Sequence, residues 1–109
     1  MYEIEVYTTD GGSQPFSEWM EGLRDKRAKA KLLTRLNRAS LGNFGDWKPL
    51  QNAAGLCEMR EHYSSGFRIY YHIEGQKIVL VLAGSTKAEQ DRAIKKAKEY
   101  YEDYKQRGN

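Results

Sequence analysis

The 109 residues carry 18 Lys and Arg against 15 Asp and Glu, and 39% are hydrophobic, which suits one domain over 1–109 with a self-sufficient core. The longest apolar run, Ile78–Ala83, has six residues where a membrane helix needs about 18, and the start MYEIEVYTTD lacks the basic and apolar stretches of a secretory leader. One cysteine, Cys57, excludes an internal disulfide and fits a reducing compartment, so the expectation is a small cytoplasmic domain without membrane attachment.

Residues 2–8 alternate, with Tyr2, Ile4 and Val6 against Glu3 and Glu5, which predicts a half-buried strand. Asp10-Gly11-Gly12-Ser13 ends it, and Pro15 stands where a helix begins without losing a needed N–H. Phe16, Trp19, Met20 and Leu23 then form one apolar stripe of a short helix. Up to residue 21 the chain carries five acidic residues and no Lys or Arg. The sign then reverses, because Arg24, Lys26, Arg27, Lys29, Lys31, Arg35 and Arg38 face only Asp25. A helix over about 24–41 turns Ala28, Leu32, Leu33 and Leu36 inward and the cations outward, and Gly42 and Gly45 mark its end. Lys26, Arg27, Lys29, Lys31 and Arg35 are thereby candidates for gripping a polyanion. The plainer reading of the same run is a solvated helix face.

Residues 46–55 read as a loop, since Pro49 forbids helix and Gly55 leads into a strand. Strands follow at about 56–63, 66–74 and 77–84, the last apolar enough to be central and covered on both faces. Thr86-Lys87-Ala88-Glu89 has capping-box spacing, with Thr86 as N-cap and Glu89 reaching back. A final helix at about 87–105 carries Ala93, Ala97, Tyr100 and Tyr104 on or near one stripe, with Ile94 and Tyr101 beside it. The order β-α-α-β-β-β-α predicts an α+β fold, an antiparallel sheet packed against helices.

The hairpin within 56–74 holds the densest chemistry. A three-residue loop Ser64-Ser65-Gly66 would set Tyr63 opposite Phe67, His62 opposite Arg68, Arg60 opposite Tyr70 and Glu58 opposite His72. Cross-strand partners share a face. Arg60, His62, Arg68, Tyr70 and His72 then lie on one side, and Met59, Phe67, Ile69, Tyr71 and Ile73 on the other. A two-residue loop would drive Arg60 among the apolar residues, at the cost of burying an unpaired charge. Two guanidinium groups, two imidazoles and a phenol on one platform suit phosphodiester chemistry, which needs cations and a proton acceptor and donor. The same face is equally compatible with ordinary pairs such as Arg60–Glu58 or Arg68–Glu61. Cys57 falls on the inward face as a small core residue, and Trp19 and Trp47 read as core and loop anchors. No metal is expected, because the single cysteine allows no paired-thiol ligand set and His62 and His72 lie on separate strands. No nucleotide cofactor is expected, because no phosphate-binding glycine loop occurs.

Leu56-Cys57-Glu58-Met59-Arg60, Gly66-Phe67-Arg68-Ile69-Tyr70-Tyr71 and Gly84-Ser85-Thr86-Lys87-Ala88-Glu89-Gln90 resemble the successive motifs of HigB-like toxins, the phage-derived, killer-protein branch of the RelE/ParE superfamily. Pro15-Phe16, Trp19-Met20 and Leu23 also match that family's first helix. The resemblance covers nearly the whole chain. It implies a RelE/ParE-like fold and the toxin of a type II toxin–antitoxin pair, a metal-independent, ribosome-dependent messenger RNA endoribonuclease. The implied partners are a cognate helix-turn-helix antitoxin, the 70S ribosome and messenger RNA. By position Arg60, Arg68 and Tyr70 match the family's strand motifs, and Lys87 and Gln90 its last turn. Met59 replaces the usual Leu, and Ser85-Thr86 replaces Gly-Asp before Lys87. His62 lies outside the pattern and is a candidate acid or base because imidazole titrates near neutral pH. The superfamily's ParE-type members, non-enzymatic binders that inhibit DNA gyrase, supply the alternative function.

Overall fold

A computed structural model describes residues 1–107. The elements run β1 (Glu3–Val6), α1 (Pro15–Gly22), α2 (Lys26–Ser40), β2 (Trp47–Pro49), β3 (Leu56–Glu61), β4 (Phe67–Glu74), β5 (Lys77–Gly84) and α3 (Lys87–Gln106). Local chemistry starts each helix. Pro15 opens α1 at its first turn, and the Asp25 carboxylate caps α2 by accepting from Arg27 N and Ala28 N. Thr86 caps α3 by accepting from Glu89 N. Glu89 does not reach back to Thr86 as the capping-box spacing predicted; its carboxylate accepts from Ser85 N and from the Trp19 indole. It thus ties α1 to the start of α3.

The five strands lie in the order β1-β5-β4-β3-β2. The sheet is mixed, not antiparallel throughout, because β1 pairs with β5 in parallel while the other pairs are antiparallel. The physical reason is the route of the chain. The helices α1 and α2 carry it from β1 to the far edge, and three reversals from β2 bring β5 back alongside β1 in the same direction. A second departure is β2 itself: Trp47–Pro49, inside the expected loop, pairs with β3. As an edge strand it accepts a proline, which has no N–H to offer a further neighbour.

Helices cover both faces. Phe16 and Met20 of α1 and Ala28, Leu32, Leu36 and Ala39 of α2 pack on Met59, Phe67, Ile69, Tyr71, Ile78 and Leu80. On the opposite face Ala93, Ala97 and Tyr101 of α3 cover Leu56, Tyr70 and Val81, and Tyr104 meets Tyr7 and Val79. The apolar run Ile78–Ala83 of β5 therefore lies between two strands and is covered on both faces, as its composition requires. Leu33, placed inward by its spacing, is exposed instead. Cys57 is partly buried against the α1/α2 core, and burial pushes its thiol pKa up.

Candidate active site

The hairpin register differs from the sequence reading by two residues. Arg60 lies opposite Arg68, Glu58 opposite Tyr70 and Leu56 opposite His72. The loop is longer than three residues because Gly66 N donates to Tyr63 O at 3.0 Å, with Ser64 and Gly66 both in the left-handed region. A slip of two preserves side-chain parity, so the face assignments survive while the cross-strand partners change.

Two like charges directly opposite each other repel, and each arginine here has a carboxylate. Arg68 Nη1 donates to both Glu58 oxygens at 3.1 Å, and Lys48 Nζ approaches Glu58 at 3.6 Å. The Glu58 residue is 1% exposed, held in the interior by these cations. Arg60 donates to Asp46 Oδ1 through Nε and Nη2 at 3.2 and 2.7 Å. The other Asp46 oxygen lies 2.5 Å from His62 Nε2. A carboxylate only accepts, so Nε2 carries the proton and Nδ1 of a neutral His62 is left as the acceptor. Hydrogen bonds from Arg60 and then His62 hold the Asp46 carboxyl at about 2.

Farther along β4 the polar face is covered by α3. Tyr70, expected to face substrate, is 0% exposed beneath α3, and its hydroxyl has no hydrogen-bond partner among the described residues. Burial, then the nearby Glu58 charge, pushes its pKa up. His72 is enclosed too, with Nδ1 2.8 Å from Gly55 O, Nε2 2.9 Å from Glu74 and its ring against Tyr101. Covering by α3 removes both from the exposed platform.

Lys87 and Gln90 arrive from the first turn of α3. The hairpin loop is tied there by Ser65, whose hydroxyl lies 2.9 Å from that of Ser85, and Gln90 Nε2 donates to Ser85 O. An open cavity of about 430 Å³ results, lined by Arg60, His62, Arg68, Lys87 and Gln90, with Ser65, Phe67 and Asp91 among its other walls. Lys87 is exposed and makes no ion pair among the described residues. It stands at a helix N-terminus, where an anion is favoured.

Beside this cavity, and sharing Glu61 with it, lies a groove of about 570 Å³ lined by Arg27, Lys31, Arg35 and Arg38 of α2. Lys26, Arg27 and Lys31 are exposed and Lys29 half-buried. Arg35 differs from the expectation of a free RNA-gripping cation. Its guanidinium donates to the backbone oxygens of Arg60, Phe44 and Asp46 and pairs with Glu61 at 3.5 Å. That clamp fixes the Asp46 loop against β3, because buried carbonyls need donors.

The model of the phage derived protein Gp49-like (DUF891) family matches residues 18–102. An uncharacterized protein of Haemophilus influenzae is 39% identical over 95 residues, spanning 87% of this chain and 90% of that protein. The chain belongs to the Gp49-like family. This phage-derived family is toxin-like and of RelE/ParE type, so the resemblance carried by the strand motifs holds at that level. In this Gp49-like chain every residue of the cavity falls within the matched segment.

Asp46 and Glu58 are the residues of this Gp49-like site that sequence reasoning assigned no role at it. Glu58 was in view as a partner for Arg60, and it pairs with Arg68 instead. A carboxylate two residues before Arg60 on the arginine face is a signal that could have found it. Asp46 carries no such signal, because 14 residues and an edge strand separate it from Arg60.

Proposed function

We propose that this protein is a HigB-like toxin of a type II toxin–antitoxin pair, acting in the cytoplasm as a ribosome-dependent endoribonuclease on messenger RNA. The observation that carries the reading is the convergence of Arg60, His62, Arg68 and Lys87 on one open cavity. Cations there meet the charge that develops on phosphorus oxygens. The substrate's 2′-hydroxyl attacks the adjacent phosphorus, forming the 2′,3′-cyclic phosphate and breaking the bond to the 5′-oxygen, which leaves as a hydroxyl by taking a proton from water in the open cavity. His62 takes the 2′-hydroxyl proton on Nδ1, while Asp46 fixes the ring through Nε2, the orienting role a carboxylate plays towards a catalytic imidazole. Arg60 and Arg68 grip the phosphoryl oxygens in the transition state, Lys87 binds phosphate, and Gln90 shapes the wall. Tyr70, opposite Glu58 on the neighbouring strand and withdrawn beneath α3, has no contact with substrate. No metal ion enters the scheme.

The α2 groove runs on from the cavity, and Lys26, Arg27, Lys29 and Lys31 hold ribosomal RNA by contacts that weaken with salt. A helix-turn-helix antitoxin is the partner that holds the toxin inactive. The test is cleavage of messenger RNA programmed in purified 70S ribosomes, together with pulse labelling after induction. The expected result is cut message and protein synthesis falling before DNA synthesis. Intact message with supercoiling lost first would replace this reading with the gyrase-binding one.

A further inference from the structure

The arginine cavity does not end at Arg68. Arg68 and Ile94 also line a second open cavity, of about 380 Å³, between the 48–52 segment and α3. We propose that this second cavity is a recognition subsite of the same site, binding the nucleotide next to the scissile phosphodiester of a single-stranded RNA. The proposal rests on the endoribonuclease reading above and adds where sequence preference arises.

Its charge suits a phosphate. Lys48, Arg68 and Lys98 line it with Glu58 as the one carboxylate, and that carboxylate is buried and engaged by Arg68 and Lys48. Lys98 makes no ion pair among the described residues, so its charge is unspent. Pro49, Leu50 and Ile94 supply an apolar wall against which a base can lie. Gln51 and Asn52, both exposed, make no side-chain hydrogen bonds among the described residues. An amide offers a donor and an acceptor together, the pattern that reads a base edge.

The subsite is also held in shape before any ligand arrives. Leu50 N donates to Leu56 O and Leu56 N to Ala53 O, both at 2.9 Å. Gly55, just before Leu56, has φ +93°, and a Cβ there would collide with the Tyr101 hydroxyl. Only glycine lets the loop close on α3 there. Asn52 sits at φ +58°, a strained conformation that such a braced loop maintains. Binding therefore forgoes much of the ordering cost a loose loop would carry. Because Arg68 walls both cavities, a strand crossing it fills one with the reacting phosphate and the other with the neighbouring nucleotide.

The experiment is fluorescence anisotropy of the full chain with short fluorescein-labelled single-stranded RNAs of adenosine, cytidine or uridine, over a salt series. Lys48→Gln/Lys98→Gln should bind about 10-fold more weakly, with a shallower salt slope, since each lost phosphate contact removes about 0.7 from it. Gln51→Ala/Asn52→Ala should keep the slope and lose discrimination among the three RNAs. Circular dichroism is the folding control, because Lys48→Gln leaves buried Glu58 with Arg68 alone and Asn52→Ala places an alanine at positive φ. A wild-type chain that binds none of the RNAs overturns the proposal. So does wild-type affinity, slope and discrimination in both variants. Ribosomal cleavage separates this failure from that of the parent reading: cleaved message with unchanged binding in the variants refutes the subsite alone. Altered binding without any cleavage refutes the nuclease and leaves the RNA subsite standing.

Discussion

Replacing Arg68 by Ala tests the site's electrostatic construction as well as its chemistry. Glu58 is 1% exposed and depends on Arg68 at 3.1 Å and on Lys48 at 3.6 Å. Breaking a buried ion pair by removing one member costs about 3–5 kcal/mol, because the remaining charge is stranded. Two features reduce the figure here: the Arg68 side chain is 31% exposed, and Lys48 stays to compensate. We expect a loss of about 2–3 kcal/mol, between the worth of a charge-assisted hydrogen bond and that of a fully buried pair. Glu58→Gln should cost less, about 1 kcal/mol, since water reaches the released guanidinium. The double variant should fall short of the sum by about 1–2 kcal/mol, because no charge is then orphaned. Urea unfolding followed by circular dichroism measures all four corners; at a slope of about 1–3 kcal/mol per M, the Arg68→Ala midpoint falls by about 0.7–3 M. A loss below about 0.5 kcal/mol, or strict additivity, would refute the claim that Arg68 holds a buried carboxylate. Arg68→Lys then separates structure from chemistry. Lysine keeps Glu58 neutralised and most of the stability, but it lacks the planar fork for phosphate. Message cleavage should drop well below wild type with Lys, and by about 10²–10³-fold with Ala assayed where that variant is still folded.

Tyr70→Phe should leave cleavage unchanged and alter stability by between zero and a gain of about 1 kcal/mol, because it deletes a buried hydroxyl without a partner. A large fall in cleavage by the folded variant would return the phenol to the chemistry. Hydrogen bonds from Arg60 and His62 lower the folded Asp46 carboxyl from its ordinary 3.8 to about 2, so its contribution to stability is present above the higher value and lost as pH falls towards the lower. Asp46→Asn should therefore flatten stability against pH over that window, and an unchanged acid limb in urea titrations would refute the pairing. Changing Lys26, Arg27, Lys29 and Lys31 together to Gln should weaken ribosome association and flatten its salt dependence while leaving the fold intact. An unaltered salt slope in sedimentation assays would remove the α2 groove from binding.

Apart from β2, the helices and strands were legible in the sequence because they depend on local facts: the Tyr2/Ile4/Val6 alternation, Pro15, the Thr86 cap and the apolar Ile78–Ala83 run. Face membership in the hairpin was legible for a different reason. Side chains alternate with period two, so Arg60, His62 and Arg68 keep one face even when the loop length is misjudged by two residues. What tertiary structure decided was which of those side chains remain accessible and what each one holds. Chain direction at β1 and the pairing of Trp47–Pro49 depend on where α1 and α2 deliver the chain, which no local pattern encodes. Tyr70 left the surface because α3 lies over it, Arg35 was drawn to the carbonyls of a distant loop, and Asp46 met Arg60 and His62 across the β2–β3 edge. Each is a contact between elements far apart in sequence. Burial and charge pairing belong to the packed assembly of elements, whereas periodicity and capping belong to the chain itself.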